Sequence, residues 1–193
     1  MADLQAIANW FKSKIPNDPR FNSVSPIKDT SLLYPPFYSL LQQSLTEFEN
    51  SHSYKTTVIE TYRSNALQLK YYNQGASQIK SDGMHHYGIA ADIAFIINGK
   101  VSYNGDYTKL RNIFTKNGLT IIGDWDKGHV QYIPVNQQQQ LRDLVASTSI
   151  VNVPKGQAAK GGTPSPGVLT AGISPLAIIL LIGFAIAIIF KSK

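Results

Sequence analysis

The chain of 193 residues contains no cysteine. Disulfides and thiolate metal ligands are therefore excluded, and any metal site must be built from His, Asp or Glu. Histidine is scarce as well: His52, His85, His86 and His129 are the whole supply. Acids are missing after residue 153, where Lys155, Lys160, Lys191 and Lys193 stand without a counter-charge. That imbalance accounts for most of the net charge of +6, because the remaining 14 Lys and Arg face 12 Asp and Glu. No basic stripe interleaved with aromatics is left, so nucleic-acid binding is not expected. The N-terminus also lacks a basic region followed by an apolar run and a cleavage site, so no secretory signal peptide is expected.

Among the features that are present, "ISPLAIILLIGFAIAIIF" at 173–190 carries no charge and runs straight into "KSK" at 191–193. As a helix it would be about 27 Å long, close to the roughly 30 Å of a bilayer core. A buried helix of a globular domain would show a polar face, and this run has none. A C-terminal transmembrane helix is expected, with a basic tail. The preceding "PKGQAAKGGTPSPGVLTAG", 154–172, is rich in Gly, Pro, Ala and Thr and reads as a flexible linker. The terminal lysines place the C-terminus inside and residues 1–153 outside.

Residues 1–153 read as one domain of mixed structure. Leu4, Ile7, Ala8, Phe11 and Ile15 recur at helical spacing behind a capping Asp3. Phe37, Leu40, Leu41, Leu45 and Phe48 mark a second amphipathic helix that opens on prolines. "KTTVIETY" at 55–62 is β-branched and predicts a strand. Ser64 caps a helix running to Gly75, with Leu67 and Tyr71 on one face. "DIAFII" (92–97) predicts a second strand, turned by "NGK" into Val101–Tyr103. A helix over 106–116, a closing strand over 129–133 and a last helix over about 137–147 complete the pattern. The four glutamines at 137–140 read as a solvated helix face. The fold class is α+β, with a largely antiparallel sheet flanked by helices.

The chemistry-bearing residues fall into three segments. In "SDGMHHYGIAADIAF" two histidines precede Asp92, an acid embedded in apolar residues. Asp92 is either a strand-end acid capping a turn or a metal ligand, since a buried carboxylate needs a partner. In "GDWDKGHVQ" Asp126 stands three residues before His129. Asp126 is a turn acid or a general base, and Trp125 a core residue or an apolar wall that excludes solvent. In "ETYRS" Arg63 ends a strand, as a surface residue or as a clamp for a carboxylate or oxyanion.

The ordered set Tyr62-Arg63-Ser64, Gln68 and Gly75, then His85, Gly88, Ala90 and Asp92, then Asp126 and His129 resembles a known family pattern. It is that of the zinc D-alanyl-D-alanine peptidases and phage L-alanyl-D-glutamate endolysins, which share the Hedgehog/DD-peptidase fold. Their pattern is Tyr-Arg-Ser with a Gln and a Gly in the following helix, Ser-x-His-x-x-Gly-x-Ala-x-Asp, and acid-x-x-His. The resemblance covers residues 55–134. It implies a Hedgehog/DD-peptidase-like domain with Zn2+ held by His85, Asp92 and His129, Asp126 as general base and Arg63 as substrate or transition-state clamp. His86 takes no part. Two positions depart from the pattern: Gly83 stands where the family has Ser, and Asp126 where many members have the longer Glu.

The implied activity is zinc-dependent hydrolysis of amide bonds in peptidoglycan stem peptides, of the D,D-carboxypeptidase or L-alanyl-D-glutamate endopeptidase type. The implied partners are peptidoglycan peptides and, through the C-terminal helix, a lipid bilayer. The catalytic domain would face the cell wall from a membrane anchor, as in a phage lysin held in a virion or host membrane. The competing reading is a non-catalytic zinc domain that binds the wall or builds a virion membrane.

Overall fold

The computed structural model describes residues 2–147. The expected linker at 154–172, helix at 173–190 and tail at 191–193 lie outside the described residues. Within them no helix is long and apolar enough to cross a membrane.

Local signals set most element boundaries. Helix α1 (Leu4–Lys14) starts where the Asp3 carboxylate accepts from the Ala6 N–H at 3.0 Å. Helix α2 (Pro35–Asn50) carries prolines in its first turn, where a missing N–H costs nothing. Strand β1 (Lys55–Glu60) ends before Thr61, whose N–H turns to the Ile27 carbonyl at 2.7 Å. Helix α3 (Asn65–Asn73) is capped by Ser64, which accepts from the Leu67 N–H at 3.0 Å. Strands β2 (Ala90–Ile97) and β3 (Lys100–Ser102) form a hairpin. Its two turn residues, Asn98 (φ 51°) and Gly99 (φ 74°), are both left-handed, as a type I′ turn demands. Helix α4 (Tyr107–Lys116), strand β4 (His129–Gln131) and helix α5 (Gln138–Ser147) follow.

β2 is the centre of an antiparallel sheet. One of its edges pairs with β1, and along its other edge β4 and β3 lie end to end. The observed β2 begins two residues before the expected Asp92, because Ala90 and Ala91 pair with Gln131 and Val130. Alanine has weak strand preference, and the pairing overrides it.

Strand alternation separates two faces. Ala91, Ile93 and Phe95 pack on Phe37, Leu41, Leu45 and Phe48 of α2 and on Leu110, Ile113 and Phe114 of α4. A second apolar cluster joins α1 and α5 through Ile7, Phe11, Leu141, Tyr62, Tyr87 and Ile133. Asp92 points to the face opposite Ile93, which α2 and α4 leave open for the candidate site.

Candidate metal centre

The sheet register sets three ionisable side chains in one row. Asp92 pairs directly with His129 on β4 and with Glu60 on β1. The Glu60 pairing depends on an irregularity in β1, where the register shifts between Val58 and Glu60. This β-bulge makes Ile59 the extra residue, so a carboxylate rather than an isoleucine stands opposite Asp92.

His85 reaches the row from a compact turn. The turn is closed by bonds from His86 N–H to the Gly83 carbonyl (2.8 Å), Gly88 N–H to the His85 carbonyl (3.1 Å) and Ile89 N–H to the Met84 carbonyl (3.2 Å). Gly88 is left-handed (φ 66°), and a Cβ there would overlap the Leu32 carbonyl and the Trp10 ring.

The three donors converge. His85 Nε2 lies 3.1 Å from Asp92 Oδ1 and 3.2 Å from His129 Nδ1, and His129 Nδ1 lies 3.1 Å from Asp92 Oδ1. Four tetrahedral ligands at zinc distances of about 2.0–2.1 Å are separated by about 3.3–3.4 Å, so this triangle fits such an ion with slight expansion.

The outer hydrogen bonds decide which ring atoms face inward. His85 Nδ1 lies 2.9 Å from the Thr61 carbonyl, which only accepts, so Nδ1 carries the proton and Nε2 presents a lone pair. On His129, Nε2 lies 3.4 Å from Gln131 Oε1. The orientation of that amide is fixed because its Nε2 donates to the Ile133 carbonyl at 2.5 Å. His129 therefore turns its Nδ1 lone pair to the cluster. Two lone pairs and a carboxylate oxygen this close repel one another unless a cation sits among them, either a metal ion or a proton bridging a ring nitrogen to Asp92 Oδ1 at 3.1 Å. His85, Asp92 and His129 are together a set that could hold a metal ion.

The electrostatics agree. Burial works to raise the Asp92 carboxyl, yet His85 and His129 outweigh it and hold Asp92 well below the usual carboxylate range. Burial works to lower His129, and its bond to Asp92 reverses that and raises it. A metal ion would compete with that proton for the Nδ1 lone pair.

Arg63 occupies the other side of Asp92. Its Nη2 donates to Asp92 Oδ2 at 3.1 Å and to Glu60 Oε2, and its Nη1 reaches Gln68 Oε1 at 3.3 Å. Tyr71 covers the guanidinium at 4.9 Å. Burial opposes the charge on Arg63, but Glu60 and Asp92 raise its pKa all the same. Asp92 thus gives one oxygen to the histidines and the other to Arg63.

Asp126 borders the same cleft, a hollow of about 630 Å³ that also touches Gln68, Tyr71, Ile79, Trp125 and Gln138. Burial raises its carboxyl, and the nearby Asp92 adds to the effect. Its backbone shapes the turn into β4, with the His129 N–H 3.4 Å from the Asp126 carbonyl. A second hollow of about 550 Å³ at the start of α4 contains the Arg111–Asp124 pair and none of the cluster residues.

The structure therefore brings His85, Asp92, His129, Arg63 and Asp126 to one cleft. Three further positions are decided by the structure. His86, which takes no part in the cluster, is buried among Phe11, Phe21, Tyr62 and Tyr87 at ring-centroid distances of 5.3–5.9 Å. Burial lowers its pKa against the opposing pull of Asp82. Of the two readings of Trp125 the core one fails: the ring lines the cleft and is 67% exposed. The glutamines are not all solvated, since Gln138 lines the cleft and donates to Gln131 Oε1 at 3.2 Å.

Glu60, Thr61 and Gln131 were missed as supporting residues. For Gln131 a signal existed, because it stands two residues after His129 and shares its face. For Glu60 none did, because its position depends on the bulge.

The class of molecule these observations define is an α+β domain in which a turn and two strands of an antiparallel sheet bring together a His–Asp–His cluster that could hold a metal ion. No family model matches the chain, and no curated protein matches it. Among solved structures, the Serratia marcescens L-Ala D-Glu endopeptidase ChiX is similar, at 22% identity and a TM-score of 0.44. The match covers 57% of this chain and 93% of that one. The vancomycin-resistance D,D-dipeptidase VanXYg, solved with a D-Ala-D-Ala phosphinate analog, is similar at 15% identity and a TM-score of 0.39. That match covers 68% of this chain and 69% of that one.

Proposed function

We propose that residues 1–153 form a zinc-dependent peptidase that hydrolyses amide bonds in peptidoglycan stem peptides. The observation that carries this reading is the triangle of donors at 3.1–3.2 Å with both outer ring nitrogens already bonded. The ordered motif in the sequence supplies the reaction class. When bound, zinc supplies a Lewis acid that polarises an amide carbonyl and acidifies water.

The chain's own residues do the rest. Asp126, on the cleft wall and raised by burial, takes a proton from the attacking water and delivers it to the leaving amine nitrogen. Arg63 fixes the Asp92 carboxylate through Nη2 and retains an Nη1 hydrogen with which to steady the substrate oxygen. His85 and His129 are held in their inward tautomers by Thr61 and Gln131.

The test is zymography of the zinc-loaded protein on peptidoglycan, with and without a chelator. Clearing that the chelator abolishes and zinc restores is expected. Binding to the wall without clearing would instead support the non-catalytic reading.

We further propose that residues 173–190 anchor the protein in a bilayer with the catalytic domain on the wall-facing side, as their length and lack of charge suggest. Sedimentation with membranes that persists after deletion of 154–193 would refute it.

A further inference from the structure

We propose that Gln138 and Arg142 of α5 are positioning residues for the candidate metal centre. One run of side-chain hydrogen bonds through them ties the strand that bears His129 to the turn that bears His85. The proposal rests on the metal-binding reading and deepens it, since both residues act on the cluster only through others.

The run starts at His129, whose Nε2 lies 3.4 Å from Gln131 Oε1. The same oxygen accepts from Gln138 Nε2 at 3.2 Å. Gln138 Oε1 accepts in turn from Arg142 Nη2 at 3.4 Å, and Arg142 Nε donates to the Asp82 carbonyl at 3.1 Å. Gln138 and Arg142 are one helical turn apart, so a single face of α5 carries both.

The ends of the run set its polarity. A guanidinium only donates, so Arg142 fixes the oxygen end of the Gln138 amide and turns its nitrogen to Gln131. A carbonyl only accepts, so Ile133, which takes the Gln131 Nε2 hydrogen, leaves Oε1 of that buried amide for His129 and Gln138. His129 therefore keeps its proton on Nε2 and its Nδ1 lone pair toward Asp92 and His85. Without Arg142 nothing in the run holds the Gln138 amide that way round. Turned over, it sets its oxygen against Gln131 Oε1, two acceptors in contact, and the disturbance reaches His129.

The other end of the run bears on His85. Asp82 is left-handed (φ 56°), a conformation that a residue other than Gly keeps only where its surroundings impose it. Asn65, at the start of α3, accepts from the Asp82 N–H at 2.9 Å and donates to its carboxylate at 3.1 Å. Arg142 holds the Asp82 carbonyl, so α3 and α5 together fix the residue from which the chain enters the His85 turn. One guanidinium thus serves both histidines, through Nη2 on one side and Nε on the other.

The test is the zinc affinity of full-length protein in detergent, by competition with a chromophoric chelator, beside the melting temperature of the metal-free form. Arg142→Ala and Gln138→Leu should each weaken zinc about tenfold, the low end for partners outside the ligand set. The double variant should lose little more than the worse single one, because both cut the same run. Lys12→Ala is the control: Lys12 Nζ donates to the Leu144 carbonyl at 3.1 Å and so holds α5 away from the run. It should lower the melting temperature and leave zinc affinity within about twofold of the wild type. Unchanged affinity in Arg142→Ala and Gln138→Leu overturns the proposal. Fully additive losses in the double variant do the same, as does an equal loss in Lys12→Ala, which would make α5 a general support. If Arg142→Ala does not fold, Gln138→Leu against Lys12→Ala decides. A wild type that binds no zinc removes the metal assignment itself.

Discussion

Asp92 divides its two oxygens between the histidines and Arg63, while Asp126 has its carboxyl raised in the same cleft. On the proposed reading the two acids have different tasks, one holding a cation and one moving a proton. Asp126→Ala should keep stoichiometric zinc by metal analysis but lower the rate of peptidoglycan cleavage by about 10²- to 10⁴-fold. An Asp126→Ala protein that cleared wall at the wild-type rate would remove Asp126 from the mechanism. A second acid gives a pH prediction away from the site. Hydrogen bonding to Arg20, at 2.8 and 2.9 Å, pulls Asp18 down to about 2. A depressed carboxylate stabilises the fold above its unfolded pKa and loses that contribution as pH falls through its folded one. Asp18→Asn should therefore cost stability at pH 7, by less than about 1 kcal/mol because Arg20 is 40% exposed. Urea titrations should show the difference closing as the pH falls from about 4 to about 2. At this scale the sequence was informative about identity and poor about surroundings. His85, Asp92, Asp126 and His129 could be picked out by motif. Exposure of Trp125 and burial of His86 could not, because apolar and aromatic residues report burial only through their neighbours.

Between residue and molecule, turns and register do the positioning. Gly88 links the His85 turn to β2 in a left-handed conformation with no room for a Cβ. Gly75 is also left-handed (φ 71°), but nothing lies within 4 Å of its would-be Cβ. Gly75→Ala should therefore cost only the backbone strain of about 1 kcal/mol, and Gly88→Ala upwards of about 3 kcal/mol, in chemical denaturation. Equal costs would show that packing against Leu32 and Trp10 is irrelevant. The caps at Asp3 and Ser64 and the Asn98-Gly99 hairpin were readable because each is a local hydrogen-bonding device. The bulge at Ile59 was not. Its cause lies in pairing with a strand more than thirty residues away, and "KTTVIE" reads as a regular strand without it.

At the scale of the whole domain, the candidate ligands come from a turn, the central strand and a short neighbouring strand of three residues. A metal bound only by the folded state stabilises it by mass action, by about 2.7 kcal/mol at a hundred times its dissociation constant. Zinc should raise the melting temperature of the wild type and leave that of His129→Ala unmoved. A wild-type protein indifferent to zinc and to chelator would sink the metal assignment. The α+β class and the antiparallel sheet were legible from strand and helix periodicities. The placement of β3 and β4 end to end on one edge of β2 was not, because nothing local encodes which edge a three-residue strand will choose.

That short strand has a consequence for dynamics. β4 pairs with β2 over three residues and with Thr120 through Gln131, and it carries His129 in register with Asp92. With a metal held as proposed, fraying of β4 and release of the metal are one event. Amide hydrogens at Val130 and Gln131 should exchange with solvent deuterium markedly more slowly in the zinc-loaded protein, while those in the middle of α2, which holds no ligand, change little.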